Sequence, residues 1–250
     1  MYLNVRDGSR MLAALVALAF VAIAPNARAD ELAKVDEAVN RWKTLDFNYH
    51  IATKKPDTQP SILKLRMRMR VKDGENQQVT EISEPADMKG TKVLILSPTK
   101  MYIYLPAFQK IRRIASHVTE QGFLGTALSQ RELSLTRYGT YYKSKKLSEE
   151  GEKVKLELTA KNDKAPYPKI VMVVEKKRWL PLEIRYFNDK GNHIKTEERS
   201  DYKCKGEICS PGTQKVSDLT SKVTSVLQLK EYKMDTTIPE DIFSKRYLQK

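Results

Sequence analysis

Apolar and cationic side chains alternate along residues 62–71. Leu63, Leu65, Met67, Met69 and Val71 fall on one face of an extended strand, and Lys64, Arg66, Arg68 and Arg70 fall on the other. A period of two marks a strand, because successive side chains point to opposite faces. Two more segments alternate as cleanly. Val154, Leu156 and Leu158 stand against Lys153, Lys155 and Glu157, while Leu180, Leu182, Ile184 and Tyr186 stand against Glu183 and Arg185. Leu32, Val35, Val39, Trp42 and Leu45 instead recur every three or four residues, which predicts one amphipathic helix over 31–46.

Nearly everything after that helix reads as strand. Asp73-Gly74 predicts a tight turn folding 62–71 onto 77–83 as a hairpin. Further strands are expected at 91–96, 100–105, 109–114, 140–147, 153–160, 169–175, 180–188, 193–200, 214–219 and 221–233, with turn signals at 150–151 and 189–192. Roughly ten or eleven consecutive antiparallel strands in one sheet twist and curl. The expected fold is mainly β with a minor α part: a curled antiparallel half-barrel, open on one side and wrapped around the N-terminal helix. Its concave face would be apolar, and for 100–105 and 169–175 the pattern does not say which face that is.

The concave lining predicted from the alternation is Leu63, Leu65, Met67, Met69, Leu156, Leu158, Leu182, Ile184 and Tyr186. Methionine is flexible and suits an adaptable apolar surface. Such a hollow would hold an apolar ligand; a filled core with a solvated outer face is the alternative. Between the two halves of the strand pattern, Gly122 and Gly125 frame Phe123 and Leu124, and a short helix is expected around Leu128. Apolar tips between glycine hinges fit a mobile lid over residues 121–133, and they fit an ordinary packed loop equally well.

The first 29 residues carry a different signal. Arg6 and Arg10 precede an apolar run from Met11 to Ala24, and Ala27-Arg28-Ala29 supplies a small-x-small cleavage pattern. The run is too short for a membrane span and reads as a secretory signal peptide cleaved near Ala29, leaving one domain over 30–250. Removing Arg6, Arg10, Arg28 and Asp7 takes the formal charge from +14 to +12. A strongly basic exported protein points to anionic membrane surfaces or acidic protein partners rather than nucleic acid. Lys64, Arg66, Arg68, Arg70, Arg112 and Arg113 could dock such a partner or anionic head groups, or simply be solvated.

Cys204 and Cys209 flank Gly206, and in an oxidising compartment this close pair is expected to form a local disulfide. Metal binding is not expected, since the pair has no second pair and His50, His117 and His193 are scattered. The chain carries no G-x-S-x-G, phosphate-binding loop, dinucleotide fingerprint or H-E-x-x-H. It is therefore not expected to be an enzyme.

Three segments resemble one known family. Residues 101–114, Met-Tyr-Ile-Tyr-Leu-Pro-Ala-Phe-Gln-Lys-Ile-Arg-Arg-Ile, resemble the W-x-Y-x-P-x-x-x-x-x-R-R-I signature of LolA-like outer-membrane lipoprotein-sorting proteins. Gln121-Gly-Phe-Leu-Gly-Thr-Ala-Leu-Ser-Gln-Arg-Glu-Leu133 resembles the family's G-S-F-M-G-T-D-F-S-Y-E-D-L, and Ile238-Pro-Glu-Asp-Ile-Phe-Ser-Lys-Arg-Tyr-Leu248 its I-P-x-x-x-F-T-x-x-Y-L ending. Tyr102, Ala127 and Gln130 depart from the usual Trp, Asp and aromatic residue, and the Cys204–Cys209 insertion is not part of the pattern. The resemblance implies a periplasmic, cofactor-free, monomeric carrier for the acyl chains of a lipid or lipoprotein. It further implies an inner-membrane partner of the resistance-nodulation-division (RND) exporter type or an outer-membrane acceptor. The rival expectation is an envelope protein-interaction module with a filled core.

Overall fold

The computed structural model describes Met1 and residues 30–97, 99–114, 122–133, 135 and 137–250, with the backbone alone at 130 and 131. The expected signal peptide and its cleavage site lie outside the described residues, as does Gln121 at the start of the expected lid.

Helix α1 runs from Glu31 to Val39, and the Asp30 carboxylate caps it by accepting from the Leu32 N–H at 3.1 Å. It is shorter than the predicted 31–46. The Asn40 N–H closes on the Glu37 carbonyl, and Trp42 then donates its indole N–H to the Val39 carbonyl. The spacing of Trp42 and Leu45 fits a helix, but Leu45 opens a different periodicity. Leu45, Phe47, Tyr49 and Ile51 alternate with polar residues, and Thr44–Lys54 is strand β1, buried at every second position up to Thr53. Two full ladders flank β1, which outweighs the weak helical preference of a stretch so rich in aromatic and β-branched residues.

The other strands are β2 Ser61–Lys72, β3 Glu75–Glu84, β4 Lys92–Ser97, β5 Lys100–Leu105, β6 Lys110–Arg113, β7 Tyr142–Glu150, β8 Lys153–Ala160, β9 Lys169–Glu175, β10 Leu180–Phe187, β11 His193–Ser200, β12 Lys203–Lys205, β13 Ile208–Ser210, β14 Thr213–Asp218 and β15 Val223–Met234. The predicted hairpin of β2 and β3 is present, turning at Asp73 and Gly74, which both adopt positive φ. Thirteen strands form one antiparallel sheet in the order β6-β5-β4-β3-β2-β1-β15-β14-β11-β10-β9-β8-β7, while β12 and β13 make a separate hairpin. The sheet is curled and open, a half-barrel as expected, with more strands than the expected ten or eleven. β6 and β7 are its two edges and do not pair with each other among the described residues.

This topology dictates where the middle of the chain goes. The sheet starts at its centre with β1, extends to the β6 edge, and resumes at the opposite edge with β7. The connection from β6 to β7 must therefore cross a sheet face. It crosses the inner one: Phe123, Ala127 and Leu128 pack among inner residues of β1–β5, β14 and β15, and the Ala127 N–H donates to Ser225 Oγ on β15 at 2.9 Å. Helices α2 (Gln130–Leu133) and α3 (Tyr138–Tyr141) complete the crossing. Helix α1 covers the other half of the inner face, where Leu32 and Val35 pack with Leu156, Leu158, Ile170, Met172 and Ile184. Met101, Ile103, Ile170, Met172 and Val174 thus point inward, which resolves the strands whose two faces were both apolar.

Part of the outer face is also covered. Helix α4 (Lys245–Leu248) and the turn at Glu240–Phe243 lay Ile242, Phe243 and Leu248 over Val79 and Leu94. The expected wet cationic face of β2 is therefore interrupted. Arg68, at 8% exposure, is covered by Tyr247, and Arg70 sits 4.3 Å from the centroid of the Phe243 ring.

Candidate functional site

The pairing of β1 with β2 sets Phe47 opposite Met67 and Leu45 opposite Met69, so these inner faces form one apolar wall. Trp42 and Tyr49 extend it, and Leu128 and Leu133 of the crossing segment roof it over. Leu128 packs into the same core as the wall, but wall and roof do not close completely. A cavity of about 190 Å³ lies between them. A second cavity of about 180 Å³ opens beyond Met69 and Leu133, toward Gln78, Ile95 and Thr140. Met69 and Leu133 line both, so the two cavities adjoin at this waist.

The first cavity is not apolar throughout. Strand β11 carries Lys195, Glu197 and Arg199 at period two, so all three face inward, Glu197 opposite Ile184 and Lys195 opposite Tyr186. Arg199 Nε donates to Glu197 Oε1 at 2.6 Å, and the Tyr186 hydroxyl donates to Glu197 Oε2 at 2.7 Å. Tyr138 and Tyr202 stand around the guanidinium and complete a polar end opposite the Met67 and Met69 wall. Burial opposes the charge of Arg199, but Glu197 outweighs it, and the guanidinium holds its proton even more firmly than usual. Burial pushes the hydroxyls of Tyr49, Tyr138, Tyr186 and Tyr202 up, so all four remain neutral at physiological pH.

The roof is anchored by a second buried ion pair. Glu132 of α2 accepts from Lys195 Nζ at 2.8 Å, from the Tyr167 hydroxyl and from the Ser129 N–H at 2.7 Å. Ser129 Oγ in turn accepts from the Glu132 N–H at 3.2 Å, a reciprocal capping box. The far end of the crossing segment is tied to α1, since Asp36 accepts from the Tyr138 and Gly139 N–H groups at 2.7 Å each. A Cβ at Gly139 would come within 2.9 Å of Asp36 Oδ2, so glycine is what allows this approach. On the other side of Lys195 lies a broader depression of about 570 Å³, walled by loop residues such as Asn162, Pro166 and Asp189, with polar and apolar side chains in its lining.

Of the nine predicted lining residues, Met67, Met69 and Tyr186 line the cavity. Leu63 and Leu65 are packed in the first core, and Leu156, Leu158 and Ile184 in the second, beneath α1. Leu182 faces neither: pairing with β9 passes from Pro181 to Glu183, and this bulge takes it out of phase with Ile184. In the segment predicted as a lid, Phe123 and Leu128 are buried and Leu124 is half-buried, with Leu128 in the cavity roof. Among the predicted docking residues, Arg66 makes a two-point contact with Asp46 at 2.8 and 2.7 Å. Arg112 stacks over Phe108, and Arg113 donates to the Thr99 carbonyl; all three arginines stay exposed. Arg68 and Arg70 are engaged by the C-terminal segment instead. Cys204 and Cys209 are bridged as expected, and Cys209 also borders the cavity.

Sequence reasoning missed Trp42, Leu45, Phe47 and Tyr49, although their alternation was visible. It also missed Glu197 and Arg199, because a Glu-Glu-Arg run reads as a solvated face.

This open, curled antiparallel sheet with few helices matches the LolA-like fold. A domain from Vibrio parahaemolyticus assigned to outer membrane lipoprotein sorting aligns with a TM-score of 0.79 at 22% identity, over 88% of this chain and 97% of that one. A DUF1329 family protein from Desulfovibrio piger aligns with a TM-score of 0.80 at 20% identity, over 88% and 96%. A LolA superfamily protein from Nitrosomonas europaea aligns with a TM-score of 0.69 at 21% identity, over 87% and 97%. No curated protein matches at the sequence level. The chain itself belongs to the family whose model, described as "-like: Uncharacterized protein", matches residues 74–250.

Proposed function

We propose that this protein is a carrier that takes up an acyl chain of a lipid or lipoprotein in the groove between the β1–β2 wall and the crossing segment. The observation that carries this reading is the unfilled hollow itself. Two well-packed cores flank it, yet Met67, Met69, Leu128 and Leu133 leave space between them. Packed interiors seldom leave voids larger than a water molecule. An acyl chain gains about 0.8 kcal/mol per methylene removed from water, so it needs such a surface to cross an aqueous compartment.

The size of the hollow constrains the mechanism. Drug-sized sites begin near ~300 Å³, and each half of this groove is smaller. A full-length chain must displace part of the roof. Phe123 and Leu128 pack in an apolar cluster that a hydrocarbon could contact as well, so exchange of roof for ligand is close to neutral. The 122–133 segment then acts as the lid. No helix among the described residues is long and apolar enough to cross a membrane. In this reading the signal peptide is cleaved near Ala29, and residues 30–250 work as one monomeric domain in the periplasm. The donor is an inner-membrane transporter of the RND type, and the acceptor lies in the outer membrane. Docking uses Arg66, Arg112 and Arg113. Glu132 and Glu197 at the cavity are each held in an ion pair, and the carrier performs no catalysis.

Mass spectrometry of an organic extract of the purified protein tests this. Wild type should carry stoichiometric acyl lipid, and Met67→Glu should lose it while remaining folded. The fully buried Leu156, Leu158 and Ile184 favour one other reading, a protein-interaction module with a filled core. An extract free of lipid from folded wild type would support that module and end the carrier reading.

A further inference from the structure

Resting on the carrier reading, we infer that Arg199 is the head-group end of the site and that the ligand is an amphiphile bearing a small oxyanion, carboxylate or phosphate, next to its acyl chain. Arg199 is only 16% exposed at its side chain, yet its hydrogen-bonding capacity is not used up. Of five guanidinium N–H groups, the one on Nε serves Glu197 at 2.6 Å, and one on Nη2 reaches the Tyr138 hydroxyl at 3.5 Å. The Tyr202 hydroxyl also interacts with the guanidinium, which leaves further N–H groups over, and Arg199 borders the cavity. The guanidinium is thus a cation at the wall of the hollow, and its paired N–H donors match an oxyanion.

The groups around it leave the guanidinium as the donor site for an anion. Glu197 is filled by Arg199 and Tyr186, and the Tyr202 hydroxyl is turned to the Pro181 carbonyl. Glu132 is matched by Lys195, and Asp36 by two backbone N–H groups. Both carboxylates that line the first cavity, Glu132 and Glu197, are therefore already matched by a cation. From this end the apolar wall runs through Tyr49, Phe47 and Met67 to the waist at Met69. A ligand with its anion at Arg199 lays its chain along that wall.

Equilibrium binding of cis-parinaric acid and of the corresponding alcohol to delipidated protein tests the assignment by fluorescence. Lysophosphatidate and inorganic phosphate are run as competitors. Wild type should bind the acid about tenfold more tightly than the alcohol. Lysophosphatidate should compete and free phosphate should not, which places the anion on a lipid rather than in solution. In Arg199→Met with Glu197→Gln, which removes both charges together, the ratio should fall to near one. Equal binding of acid and alcohol to wild type overturns the head-group assignment and leaves the carrier reading standing. Binding of neither probe overturns both. Should the double variant not fold, the wild-type ratio decides alone.

Discussion

The Arg68 guanidinium on the outer face of β2 donates to the Tyr247 hydroxyl at 2.7 Å and lies 5.4 Å from the centroid of its ring. Glu81 completes the group, accepting from both Arg68 and Tyr247. The last helix therefore clasps the sheet by covering a charge that would otherwise need water. Replacing Tyr247 with Ala removes the ring and one hydrogen-bond partner of a buried ion pair. The expected cost is about 2–4 kcal/mol, read from urea unfolding. A loss below roughly 0.5 kcal/mol, the level of an ordinary surface change, would show that the clasp contributes nothing.

The same contact decides how docking is tested. Changing Arg68 would damage the fold, so a docking variant must leave it intact. Arg66→Ser, Arg112→Ser and Arg113→Ser together should cost no more than about 1 kcal/mol each in stability, because all three are exposed. Lipid transfer from anionic donor vesicles should slow at low salt, and the difference from wild type should vanish at high salt. Transfer that is unchanged at low salt would exclude this patch as the docking face.

What could be read from the sequence follows from how far apart the deciding residues lie. The β2–β3 hairpin was legible because Asp73-Gly74 and the alternation of β2 are local. β1 was not, since Trp42 and Leu45 fit helical spacing and only the ladders to β2 and β15 settle the matter. The apolar pattern separated inner from outer residues well, but not filled from open. Leu158 and Met67 look alike in sequence; Leu158 is fully enclosed in α1's half of the core, while Met67 packs on the other core and also borders the cavity. The polar end was invisible for the opposite reason, because Glu197 and Arg199 neutralise each other and can be buried.

The Glu132 anchor should hold the roof in place. Glu132 is 4% exposed at its side chain and pairs with Lys195, which is almost as buried. Glu132→Ala leaves that ammonium without its partner and should cost about 3–5 kcal/mol. Cleavage by a low concentration of protease should appear first within 122–133. Replacing both residues, as Glu132→Leu with Lys195→Met, should recover most of the stability. Equal stability of the single and double variants would mean that the pair is not coupled.

Acid should weaken one surface pair in a defined direction. The hydrogen bond from Arg66 holds the Asp46 carboxyl below its usual range, with partial burial acting the other way. A depressed folded value means that the carboxylate stabilises the protein above the unfolded pKa, near ~3.9. That contribution disappears as pH falls through the lower folded value. Arg66 is half exposed, so the effect is at most about 1 kcal/mol. The gap in unfolding free energy between wild type and Asp46→Asn should be present at neutral pH and close at strongly acidic pH. A gap that widens on acidification would reverse the assignment.

The disulfide hairpin closes the polar end of the groove. Cys204 and Cys209 face each other across β12 and β13, and Cys209 packs with Ala38 of α1 and Leu180 of β10. The bridge therefore holds a short two-stranded flap against both the helix and the cavity mouth. The chain-entropy estimate for so short a ring is about 2 kcal/mol. Cys204→Ser with Cys209→Ser should lower stability by that amount, and reducing the wild-type protein should reproduce the loss. Because Cys209 borders the cavity beside Arg199, opening the flap should also let water reach the guanidinium, weakening the preference for an anionic head group more than overall chain binding. If the reduced protein keeps both its stability and its acid-to-alcohol ratio, the hairpin is only a surface appendage and plays no part in shaping the site.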